Sequence, residues 1–254
     1  MFSNSVIRLL AAIGAGLALL ALPAASCFGA IARVQGCNNV KTSATQTTLT
    51  CSLAAAVGAG DLIVVETWWD NTGDTGTVTD SLNPSGNWVS LTVQSIGSTA
   101  KVQFWYVPNS ASGASDTITL TISPTAAHLS LAAEEYSGVA TASPVDVSAQ
   151  QTGGPSTTPS GPAITTTVAN DAVIGACATG GASGTWTAGA GYTLRDSTTR
   201  QGNEEQLNVA TGSYTPNFTT GNSTSWACTS IAFKPSGGAP PCASFLALRG
   251  VGCK

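Results

Sequence analysis

Short apolar runs alternate along the chain with clusters of Gly, Asn, Asp, Ser and Pro, and almost no window shows the recurrence of an amphipathic helix. Segments rich in Thr, Val and Ile predict strands at 47–53, 61–69, 76–80, 88–94, 101–107, 116–123, 127–136, 144–148, 163–168, 172–179, 192–196, 205–210, 213–217 and 225–234. The clearest is 116–123, where Ile118, Leu120 and Ile122 alternate with Thr117, Thr119 and Thr121, the period of a half-buried sheet. The run 61–69 is apolar on both faces, which places it centrally. Many strands at this spacing predict an all-β chain, a two-sheet antiparallel sandwich of jelly-roll-like type. The low-complexity stretch QQTGGPSTTPSGP at 150–162 reads as one long surface loop.

The N-terminus departs from this pattern. Arg8, an apolar run over 9–22, Pro23 and the small residues Ala24, Ala25 and Ser26 form an export signal too short for a confident membrane span. Cleavage falls after residue 26, or after 32 behind Ala30-Ile31-Ala32, or Cys27 becomes a lipid-bearing first residue. The expected organisation is therefore a signal peptide at 1–32, a β-sandwich domain at 33–235, and a Pro/Gly linker with a Cys-closed tail at 236–254, with no transmembrane span in the mature chain.

The composition fits export. The 254 residues are 43% hydrophobic, enough for one large domain, yet only 9% are charged, against roughly 25% in an average soluble protein. A Thr-, Ser- and Gly-rich surface suits a secreted protein that faces a polymer or joins an assembly. A net charge of −4 with scattered Lys and Arg leaves no basic stripe, so nucleic acid is a poor partner. His128 is the only histidine, and a zinc site of two or three imidazoles cannot be built. Cys37, Cys51, Cys177, Cys228, Cys242 and Cys253 remain after export, and proximity suggests the pairs 37–51, 177–228 and 242–253 among the connectivities open to six cysteines.

GDLIVV at 60–65, EEYSGV at 134–139, SPVDV at 143–147, TTTVANDAVIGA at 165–176 and WACTSIAFK at 226–234 resemble a β-sandwich module of secreted bacterial proteins and some phage structural proteins. The likeness spans about 40–234. It implies a fold and carries over no catalytic residues.

Paired carboxylates serve glycoside hydrolysis, which makes Glu134 and Glu135 the first candidates for chemistry. Neighbours on a strand point to opposite faces, so Glu134 needs a partner from elsewhere, and Glu66, Asp80 and Glu205 are the candidates. Alternation sends Glu135 toward the core with Leu129, Leu131 and Ala133. A Ser-His-acid arrangement of Ser130, His128 and Glu134 on one straight strand fails, because His128 and Glu134 stand about 20 Å apart. Trp105 falls with Lys101 and Gln103 on the face expected to meet solvent, where an indole makes a platform for a sugar ring, and Trp68, Trp69 and Trp88 extend it. The acidic loop from Asp70 through Asp74, with Asp80 close behind, has the oxygen ligands that suit calcium, though without the spacing of a helix-loop-helix site. Phe245, Leu246, Leu248 and Val251 make the tail a candidate for self-association. The leading expectation is a secreted, non-catalytic binding or adhesion module for a glycan or cell-surface polymer. The alternatives are a glycan-cleaving hydrolase built on Glu134, and a structural subunit of an extracellular assembly.

Overall fold

The run 61–69 has no polar face, so a sheet built around it must be covered on both sides. The computed structural model, which describes residues 29–42, 45–70 and 72–237, resolves that requirement with stacked antiparallel sheets. The signal up to residue 28 and the tail with Cys242, Cys253 and Phe245 lie outside the described residues.

The central sheet runs β1 (Ala32–Lys41), β9 (Leu129–Ser137), β3 (Leu62–Asp70), β7 (Ala100–Val107), β5 (Val89–Ser90), with β6 (Gln94–Ile96) also on β7. On one side lies a narrow sheet of β2 (Gln46–Leu53), β8 (Asp116–Ala126) and β4 (Thr75–Thr79). On the other lies a wide sheet ordered β10 (Val145–Ser156), β18 (Thr224–Phe233), β12 (Asp171–Thr179), β15 (Gln201–Val209), β14 (Thr193–Ser197). Two short ribbons, β11 (Ile164–Thr165) with β16 (Ser213–Tyr214) and β13 (Trp186–Ala188) with β17 (Phe218–Thr220), complete the strands.

Period-two alternation sorts the side chains into two principal cores. Ile63, Val65, Trp69, Leu129, Leu131 and Ala133 pack on Leu49, Leu53, Ile118, Leu120 and Ile122 of the narrow sheet. Leu62, Val64, Phe104, Tyr106 and Tyr136 pack on Ala172, Ile174, Ile231 and Phe233 of the wide sheet. The ribbons cover part of the wide sheet's outer face, through Ile164 on Val173 and Ala232 and through Trp186 and Phe218 on Cys177 and Cys228. The all-β sandwich follows the sequence pattern, but in three layers rather than two, because β3, β7 and β9 carry apolar side chains on both faces.

Among the described residues there are two disulfides. Cys37–Cys51 ties β1 to β2, and so the central sheet to the narrow one. Cys177–Cys228 joins residues directly opposite each other on β12 and β18. The loop expected at 150–162 is half strand, since β10 runs on to Ser156 in register with β18.

Candidate functional site

At one edge of the central sheet, where β1 and β9 face β14 and β15, several charged side chains meet. Two β-bulges bring them there. In the β1–β9 ladder Arg33 pairs with Tyr136 but Gln35 pairs with Glu135, so Val34 is an extra residue. In a regular strand Arg33 and Gln35, two residues apart, would share a face; the bulge turns Arg33 toward the wide sheet and Gln35 toward the narrow one. In the β14–β15 ladder Leu194 pairs with Glu204 and Asp196 with Asn203, and the extra residue is Arg195 itself.

Arg33 Nε donates to Glu134 Oε2 at 2.5 Å. Arg195 Nε donates to Glu205 Oε1 at 2.6 Å, and Tyr136 Oη donates to Glu205 Oε2 at 2.5 Å. Asn38 Nδ2 donates to Asp196 Oδ1. The Asn203 amide nitrogen donates to Glu66 Oε2. Beside this network lies a cleft of about 220 Å³ lined by Arg33, Gly36, Cys37, Asn38, Glu134, Arg195 and Asp196.

Glu134 is 2% exposed, and its second oxygen, Oε1, is buried with no hydrogen-bond partner. Burial pushes its pKa up to about 7, against the opposing pull of Arg33 and helped by the charges of Asp196 and Glu205. Burial also raises Asp196 above its ordinary value and holds Glu66 well above its own, with Asp196 adding to the rise of Glu66. Gly36 forms the floor: a Cβ there would lie 2.2 Å from Glu134 Oε2 and 2.5 Å from the Arg33 guanidinium.

Each adjacent glutamate pair divides between two jobs, because neighbours on a strand face opposite ways. Glu134 lines the cleft, and Glu205 lies buried behind it on Arg195 and Tyr136. Glu135 instead accepts the Gly58 N–H at 2.9 Å and the Gln35 amide at 2.6 Å, and Glu204 accepts the N–H groups of Gly189 and Asn217 at 2.7 Å each. Of the partners expected for Glu134, the fold brings Glu66 and Glu205 into this cluster and leaves Asp80 elsewhere.

The aromatic platform requires correction. Trp105 is 9% exposed and belongs to the core beneath the narrow sheet, its Nε1 donating to Thr67 Oγ1 at 3.2 Å. Alternation gave its face correctly, but that face is covered rather than wet. Trp88 packs half-buried against the same core. Lys101 and Gln103 line a separate depression of about 140 Å³ with Trp69, Asp74 and Val93. There Lys101 donates to the Asp74 carbonyl at 2.8 Å and Gln103 to the Leu91 carbonyl at 3.0 Å.

In the loop read as a calcium site, backbone donors already engage two of the carboxylates. Asp70 accepts the N–H groups of Ala127 and His128 and meets His128 Nδ1 at 2.6 Å. Asp80 accepts the N–H groups of Leu82 and Asn83 and the Asn83 amide, closing a turn. Among the described residues no group of three or more His, Cys, Asp or Glu side chains is placed to hold a metal ion.

Arg33, Gly36, Asn38, Arg195 and Asp196 escaped the sequence reading. The available signal was the isolation of two arginines among so few charges, but the bulges that aim them depend on pairing partners far away in the chain. No protein-family model, no curated protein and no solved structure matches the chain.

Proposed function

We propose that the chain is a secreted, non-catalytic binding module that takes a hydroxyl-rich ligand, a glycan or cell-surface polymer, in the cleft between β1, β9 and β14. The observation that carries this reading is a polar cleft in which the donors of Arg33, Asn38 and Arg195 stand beside the carboxyl groups of Glu134 and Asp196. A hydrogen bond between a ligand hydroxyl and a charged group of this kind is worth about 1.5–3 kcal/mol net. Sugar hydroxyls both donate and accept, and so suit a carboxyl group that changes protonation near neutral pH.

A second reading, hydrolysis of the same ligand, is favoured by one feature: a carboxyl held at about 7 beside further carboxylates has the properties of a general acid. One experiment separates the two. The exported protein and its Asn38→Ala and Glu134→Gln variants are incubated with a panel of insoluble polysaccharides, and both retention and released reducing sugar are measured. Retention without release, weakened about tenfold in Asn38→Ala, is the expected result. Release that disappears in Glu134→Gln establishes the hydrolase instead, and no retention on any polymer overturns both.

A further inference from the structure

The chain is already fitted into the domain before β1 begins. Ile31 is 1% exposed and sits with Leu62, Val64, Tyr136 and Val139 in the core facing the wide sheet. One side chain holds both its backbone groups: Ile31 N–H donates to Asn208 Oδ1 at 2.8 Å, and Asn208 Nδ2 donates to the Ile31 carbonyl at 2.9 Å. This is the pairing a neighbouring strand would supply, delivered by an asparagine whose own backbone lies in the left-handed region at φ 54°. Two residues upstream, the Gly29 N–H donates to the Ser236 carbonyl at 3.2 Å. The Ala30 carbonyl oxygen fills the space beside Gly138, where a Cβ would come within 2.4 Å of it.

These contacts bear on the two places where the sequence permits the export signal to be removed. A cut after Ala32 takes away Ile31, opens a hole in the core and strands both polar atoms of the Asn208 amide. A cut after Ser26 leaves every one of these contacts in place. We infer that processing severs the chain N-terminal to Gly29, so that residues 29–31 remain part of the mature domain. The inference rests on the export reading. The step is hydrolysis of one peptide bond, in which water supplies the hydroxyl of the new carboxyl group on the leader and a proton to the new amine on the domain.

The test is to express the full chain with its own N-terminus in a Gram-negative bacterium and to read the product by intact mass and N-terminal sequencing. A mature chain beginning between residues 24 and 29, with or without lipid mass on Cys27, is expected. A chain beginning at Arg33 overturns the inference while leaving export standing, and a full-length chain retained in the cytoplasm overturns both. In the exported Asn208→Gly variant, which keeps the left-handed backbone and loses the clamp, the melting temperature falls by roughly 4–8 °C. An unchanged melting temperature removes the physical ground for the inference.

Discussion

Gly36 decides the shape of the cleft more than any charged residue does. It stands directly opposite Glu134 in the β1–β9 ladder, and the space its missing side chain leaves is occupied by the Arg33–Glu134 pair. A methyl group there cannot be accommodated by a small adjustment, because it meets two side chains that hold each other. Gly36→Ala is expected to displace the Arg33 guanidinium, lower polymer retention at least tenfold and destabilise the domain by about 1–3 kcal/mol. Thermal melting and the retention assay check it together. If both stay at the wild-type level, the cleft is not where ligand binds.

At the scale of strands, the cross-links make unequal demands. Cys37–Cys51 closes 14 residues and Cys177–Cys228 closes 51, so the chain-entropy argument predicts losses of about 3 and 4 kcal/mol when each pair is replaced by alanine. Cys177 and Cys228 are also fully within the core under Trp186 and Phe218, whereas Cys37 is only partly buried. The Cys177→Ala/Cys228→Ala protein should therefore unfold at lower denaturant than the Cys37→Ala/Cys51→Ala protein, and a reversed order in equilibrium unfolding would contradict the argument. Much of this architecture was legible in the sequence. Ile118, Leu120 and Ile122 declared β8 by strict alternation, and the two-sided apolar run of β3 declared its central place. β1 was not legible, since ARVQGCNNVK is a half-exposed edge whose polar residues carry no period that sets it apart. The first part of β10 was read at 144–148, but its continuation to Ser156 was hidden by its own glycines and proline, and there it pairs with β18. Within the site, Glu134, Glu66 and Glu205 could be named because carboxylates suggest chemistry wherever they stand. The face of Trp105 could be assigned too, but a sequence does not say which face a third sheet will cover.

Taken whole, the molecule keeps an unusual number of carboxyl groups out of water. Burial raises Glu134, Glu204 and Asp171 to about 7, and Asp61, hydrogen-bonded to Glu135, to about 6. For each of these groups the folded pKa lies above the unfolded one, so folding favours the protonated form. The stabilisation is fully present below the unfolded values of 3.8 to 4.5 and is lost as pH rises through 6 to 7. Asp146 works in the opposite sense: hydrogen bonds from Thr167 outweigh burial and lower its pKa, and its contribution fades only in stronger acid. The domain should therefore melt at a higher temperature at pH 5 than at pH 8, and scanning calorimetry across that interval gives the sign. A flat or inverted profile would mean that water reaches these carboxyls in solution.

The contact between Gly29 and Ser236 places the two ends of the described domain side by side. Tension applied through the two ends would then peel at one point instead of shearing the stacked sheets, and the domain would hang from a stretched chain as a pendant. The same adjacency makes the fold a cyclic object in practice. A circular permutant that joins residue 237 to residue 29 through a short Gly/Ser linker and opens at the exposed Gly86 should fold with the same disulfides, which peptide mapping under non-reducing conditions can verify.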